Sequence, residues 1–148
     1  MGSPANPTSR PVRPRLPGAA AAILTVAVGL AVHTYGDGWM AGYIGDALYT
    51  VMVYSLVVTV RPAIGPAAAA CWALGISWAV EFLQLTDVPA QLSAAVPLAR
   101  LVVGTTYNAL DLVAYLVGAA LFLIAALQLR KRLSGSKPED AIAKQDAA

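Results

Sequence analysis

Charge is scarce in this chain. Asp, Glu, Lys and Arg together make up 12% of its 148 residues, against about 25% in soluble proteins, and that shortage excludes an ordinary water-facing surface. Cysteine occurs once, so no intramolecular disulfide can form, and the apolar run around Cys71 predicts a buried thiol that fills core space. Histidine also occurs once, at His33, where an interfacial polar residue is the simplest reading. No phosphate-binding loop, nucleophile motif or His cluster is present, so no metal or cofactor is implied. The net charge of +2 is too small to imply nucleic acid, and the basic residues sit at the ends of apolar runs. The polar stretches are short tails, leaving no room for a soluble domain of about 50 residues or more.

What the chain does have is apolar length: 58% of its residues are hydrophobic and they gather in four long runs. Lipid offers no water to satisfy backbone N–H and C=O groups, so runs of this kind must be helices. The spans predicted are 16–33, 43–60, 63–85 and 108–129. The first is not a cleaved signal peptide, because Val32-His33-Thr34 lacks a small-x-small site and three more runs follow. Turn formers fill 34–42, with Trp39 and Tyr43 as interfacial anchors, and Arg61-Pro62 stops the second span. Pro89 and Pro97 punctuate residues 86–107, where Leu98, Leu101 and Val102 form only a weak stripe. The fold class expected is therefore an all-α integral membrane protein, a four-transmembrane-helix bundle with an interfacial or re-entrant segment before the last helix. Residues 1–15 and 131–148 are expected to be disordered cytoplasmic arms.

Arg10, Arg13 and Arg15 precede the first span, Arg61 lies between the second and third, and Arg130, Lys131 and Arg132 follow the fourth. The alternate side has only Arg100. By the positive-inside rule both termini are cytoplasmic, and 34–42 and 86–107 lie outside. Small residues recur at four-residue spacing, at Ala67, Cys71, Gly75 and Ala79 and again at Ala114 and Gly118. Such rows either let helices approach closely or simply reflect an alanine-rich composition.

The polar residues inside the spans fall into register. Asp46, Tyr49 and Thr50 share one arc of the second span, and Ser77, Glu81 and Gln84 share one of the third. Asn108, Asp111, Tyr115 and Gly118 lie within about 80° of one another on the fourth, at about 100° per residue. With this topology Asp46, Glu81, Asn108 and Asp111 meet at one level near the outer interface, below Arg100. Asn108 and Asp111 can cap a helix start, and Asp46 can favour one through the macrodipole. Glu81 is harder to place, because it nears a helix C-terminus within apolar sequence, where its charge is disfavoured. Arg100, the only cation on that side, is its expected partner, with Asp111 as the other acid in reach; a structural ion pair and a ligand site fit this equally.

These residues also carry a resemblance. Gly45-Asp46-Ala47-Leu48-Tyr49 with Tyr54, Glu81-Phe82-Leu83-Gln84-Leu85, Arg100, and the stretch from Asp111 through Tyr115 to Gly118 resemble the domain-of-unknown-function family numbered 2809. The pattern also looks like the wider VanZ-like family, although Tyr115 stands where that family usually has Asn. The resemblance spans about residues 20–130. It implies a bacterial cytoplasmic-membrane bundle, with a link through the VanZ-like group to glycopeptide resistance.

The function expected is a non-catalytic envelope or resistance-type role. In it Asp46, Tyr49, Glu81, Gln84, Arg100, Asp111 and Tyr115 hold the polar head group of a lipid or wall precursor. Two alternatives stand beside it. One is a membrane enzyme acting on head groups through Glu81 or Asp111, or through Mg²⁺ held by the carboxylates. The other is a small proton-coupled exporter with Glu81 as carrier, which the strong Lys/Arg bias disfavours. The bilayer is the partner implied, and self-association or another membrane partner stays open.

Overall fold

A computed structural model of the chain describes residues 16–104 and 106–135. The arm at 1–15, the tail from residue 136 and Thr105 lie outside the described residues. Four long helices carry the fold: α1 (Leu16–Tyr35), α2 (Gly38–Val60), α3 (Pro66–Leu83) and α6 (Asp111–Gly135). All four are long and apolar enough to cross a membrane, and this makes the chain a multi-pass membrane protein. Between α3 and α6 the chain folds into α4 (Val88–Ala95), a 3₁₀ turn (Pro97–Ala99) and the short α5 (Arg100–Val103).

The helix bounds follow from local chemistry. The first turn is tighter than expected, since only Gly36 and Asp37 separate α1 from α2 and Trp39 to Gly42 are already helical. Pro66 opens α3 from the first turn, where its missing N–H costs nothing, with Gly65 as its cap. Before α6, Asn108 Oδ1 accepts from the Leu110 N–H at 3.2 Å while its amide donates to Asp111 Oδ1 at 2.7 Å. α6 then runs on through Arg130, Lys131 and Arg132.

Burial departs from that of a water-soluble protein in what is left outside and in which large side chains are fully enclosed. The largest fully buried side chains are Glu81, Thr50, Ser55 and Ser77, whereas Ile23, Leu24, Trp72 and Leu121 are exposed. An apolar exterior with polar side chains turned inward beside small apolar ones is what a hydrocarbon solvent selects. Buried hydroxyls within the long helices bond locally or across helices: Ser55 Oγ donates to Val51 O at 2.9 Å, and Thr50 Oγ1 donates to Ser77 Oγ at 3.1 Å to join α2 to α3.

One half of the bundle is zipped shut. There Ala69, Ala70 and Ala73 of α3 pack on Val53 and Tyr54 of α2, and Tyr54 meets the Phe122 ring edge-on with centroids 4.7 Å apart. α2 and α6 touch at Gly118, where an added Cβ would lie 2.9 Å from Ala47 Cα. The Ala114–Gly118 row is thus a packing row. The Ala67–Cys71–Gly75–Ala79 row is not: all four are exposed and a Cβ on Gly75 would meet nothing within 4 Å. Cys71 is accordingly exposed, not core filler, because α3 turns its Ala70–Ala73–Ser77–Glu81 face inward.

Candidate functional site: a polar cavity in the open half of the bundle

Towards the end of the bundle where α1 meets α2 and α3 leads into α4, the helices part around a cavity of about 810 Å³. Asp46 and Tyr49 from α2, Glu81 from α3, Gln84 just beyond its end, Arg100 from α5, and Asp111 and Tyr115 from α6 all line it. The structure therefore brings together all seven residues singled out from the sequence.

Glu81 is the fixed point of this wall. It is fully buried, and its two oxygens take different donors: Oε1 accepts from the Asn108 backbone N–H at 2.7 Å and Oε2 from the Tyr115 hydroxyl at 3.1 Å. Among the described residues no ion pair joins Arg100 to Glu81 or to Asp111. Arg100 is exposed at the cavity mouth. The expected Glu81–Arg100 pair is thus replaced by bonds to a loop amide and a phenol. A backbone N–H at the approach to α6 reaches a buried acceptor without the long, entropically costly side chain an arginine would have to order.

Asp46 faces Asp111, Glu81 and the Tyr115 hydroxyl, and the Tyr49 and Tyr115 rings lie 6.1 Å apart at 52°. Gln84 ties the segment before α6 to α3 by donating from Nε2 to Val103 O at 2.9 Å, which leaves its buried Oε1 accepting no hydrogen bond. Gly104 makes this contact possible. Its φ of +61° suits glycine, and a Cβ there would stand 2.5 Å from Gln84 Nε2. Leu98, Val102 and Thr106 continue this cover over the cavity.

The sequence reading did not foresee the contribution of α1. Thr25, Gly29 and His33 line the cavity together with Val26, Leu30 and Val32. A signal was present: Thr25, Gly29 and His33 recur every fourth residue, drifting only about 40° per step, on an otherwise apolar helix. α1 packs extensively only on α2. Among the described residues α1 and α3 both wall the cavity without packing closely on each other. Among the described residues no group of three or more His, Cys, Asp or Glu side chains is arranged to hold a metal ion.

Residues 35–119 match the family described as Protein of unknown function (DUF2809), more than half of the chain. The chain belongs to the DUF2809 family. The matched segment contains every polar residue that α2, α3 and α6 bring to the cavity and leaves out nearly all of α1. In DUF2809 terms, then, the carboxyl-bearing wall lies within the family segment and the α1 wall lies largely before it. No curated protein and no solved structure matches the chain significantly.

Proposed function

We propose that this DUF2809 protein is a non-catalytic membrane protein that holds one amphipathic lipid, with the head group among Asp46, Tyr49, Glu81, Gln84, Arg100, Asp111 and Tyr115. The observation that carries the reading is the shape and lining of the cavity. Its α1 wall rises about 12 Å from Thr25 to His33 at 1.5 Å per residue, a little over a third of a 30 Å hydrocarbon core. Carboxyls, phenols and an amide from α2, α3 and α6 line it beside Leu48, Met52 and Val80, while α1 brings Val26, Leu30 and Val32 with Thr25 and His33, and the cover brings Leu98 and Val102 with Arg100. A ligand with a polar and an apolar part fits such a lining, and the lack of close packing between α1 and α3 among the described residues supports a path from the bilayer. A pocket that buries a drug-sized ligand spans about 300–1,000 Å³, and this cavity lies within that range.

The test is native mass spectrometry with lipidomics on protein extracted in mild detergent. We expect one lipid per chain to survive extraction and to be lost when Gly29 is changed to Phe, which fills the α1 wall. Extraction without any bound lipid would overturn the reading.

The similarity to the VanZ-like group supports a bacterial cytoplasmic membrane, with a lipid-linked wall precursor as one source of the head group. The orientation follows from charge. Arg61, Arg130, Lys131 and Arg132 lie at the end of the bundle opposite the cavity, and that end is cytoplasmic by the positive-inside rule. Reporter fusions at residues 1 and 148 should therefore both report cytoplasm. An external C-terminus would place the cavity in the inner leaflet.

A further inference from the structure

We infer that the cover of the cavity, from α4 through the 3₁₀ turn to α5, is itself a membrane-contacting element, embedded in the head-group boundary of the leaflet at the cavity end of the bundle. The inference concerns the outer face of the cover and does not depend on what the cavity holds. Residues 88–99 contain no charged residue, and Asp87 and Arg100 bracket them with one charge of each sign. α4 packs on the 3₁₀ turn and on α5, but extensively on none of the four spanning helices. Burial against the bundle therefore does not dictate which way it faces.

The orientation α4 takes is the wrong one for water. Pro89 and the Ser93 hydroxyl are turned inward and buried, while Val88 and Leu92, about one turn apart, are exposed, as are Val96 and Leu98 beyond them. A helix at a protein–water boundary turns its Leu and Val inward and its Ser outward. α3 makes the same reversal inside the membrane, with Ser77 and Glu81 buried and Trp72 and Phe82 exposed. Val88, Leu92 and Val96 do not line the cavity, so it is the surroundings that meet them.

Continuity shows what covers this face. Phe82 and Leu85 where α3 ends, and Leu110 and Val113 where α6 begins, are exposed at the same end of the bundle. The apolar side chains of the cover thus extend the lipid-facing exterior of the spans. The backbone limits how deep they go. Helical bonding breaks at Val96, which is extended at φ −135° and ψ 98° before Pro97, and irregular backbone facing hydrocarbon is not tolerated. The head-group boundary supplies water to that break and apolar surroundings to Val88, Leu92 and Leu98, so an interfacial cover satisfies both where a re-entrant one does not. Leu98 and Val102 are exposed and also line the cavity, which sets its mouth at the lipid head groups. With one charge of each sign, apolar insertion holds the cover there, not attraction to anionic lipid.

The experiment uses the full chain in nanodiscs, with spin labels on Leu92→Cys, Leu98→Cys and Asp87→Cys in a Cys71→Ala background. Power saturation against oxygen and a water-soluble nickel chelate reads their depth. We expect labels at positions 92 and 98 to lie about 5–10 Å into the head-group and acyl boundary, relaxed more by oxygen than by nickel, and the label at position 87 to be nickel-dominated. The depths should be equal in phosphatidylcholine and phosphatidylglycerol. Val88→Cys reads the same face if Leu92→Cys does not fold. Nickel-dominated relaxation at positions 88 or 92 and at 98 would overturn the inference and leave the cover in water. A depth of about 15 Å, the middle of the hydrocarbon core, would overturn it in favour of a re-entrant segment. Dipolar broadening between labels on separate chains would overturn it by giving this face to a second copy.

Discussion

Changing Glu81 to Ala should cost about 3–5 kcal/mol of stability, since it strands two donors, each at about 1–3 kcal/mol, and empties space in the interior. The donors are the Asn108 N–H and the Tyr115 hydroxyl, which have Glu81 as their acceptor at 2.7 and 3.1 Å. Glu81→Gln should be much milder, at about 1 kcal/mol. Its amide oxygen can still accept from the Asn108 N–H, and its NH₂ can donate to the phenol oxygen, because a hydroxyl is both donor and acceptor. Thermal unfolding in detergent reads both changes. Pairing Glu81→Ala with Tyr115→Phe should give a combined loss smaller than the sum, since both remove one bond. Pairing it with Arg100→Gln should give simple addition, because the guanidinium makes no ion pair with Glu81. Additivity with Tyr115 and coupling with Arg100 would restore the ion pair that the sequence suggested.

That reversal shows where reading the sequence stops. Four apolar runs and the register of polar residues along each helix are local properties, set by composition and by the 3.6-residue period, so they were legible residue by residue. So was the convergence of Asp46, Tyr49, Glu81, Gln84, Arg100, Asp111 and Tyr115 on one cavity, since an up-and-down topology places helix ends at common levels. The partner of Glu81 was not legible. A side-chain cation announces itself in the sequence, whereas every residue but proline has a backbone N–H, and only the fold shows that the one on Asn108 is aimed at Glu81 Oε1.

The packing face of α3 was legible in principle. Two alanine-rich rows competed, and composition cannot choose between them. The polar residues can: Ser77 lies about 40° from Glu81 and Ala70 about 20°, whereas Gly75 and Ala79 lie about 120° and 160° away. In lipid a carboxyl must turn inward, so it carries its arc inward with it. Ala69, Ala70, Ala73, Ser77 and Glu81 are buried on α3, and Cys71 is left outside.

The same geometry makes Gly118 the residue on which the two halves of the bundle depend. A Cβ there would stand 2.9 Å from Ala47 Cα and 3.0 Å from its carbonyl carbon, closest of all to its oxygen. These are backbone atoms of α2, which no rotamer change can move aside. Gly118→Ala must therefore push α2 and α6 apart, and overpacking of this kind costs about 1–3 kcal/mol, more where only backbone can yield. The displacement would also spread the Tyr54–Phe122 contact below and part Asp46 from Asp111 and Tyr115 above. A loss of stability should thus be accompanied by loss of bound lipid. Gly75→Ala is the matched control, because its Cβ meets nothing within 4 Å. A mid-helix alanine is favoured over glycine by about 0.8–1 kcal/mol, so this variant should melt no earlier than the parent and keep its lipid. If Gly118→Ala behaves like Gly75→Ala, the α2–α6 approach is looser than the structure shows, and the cavity is not held open by it.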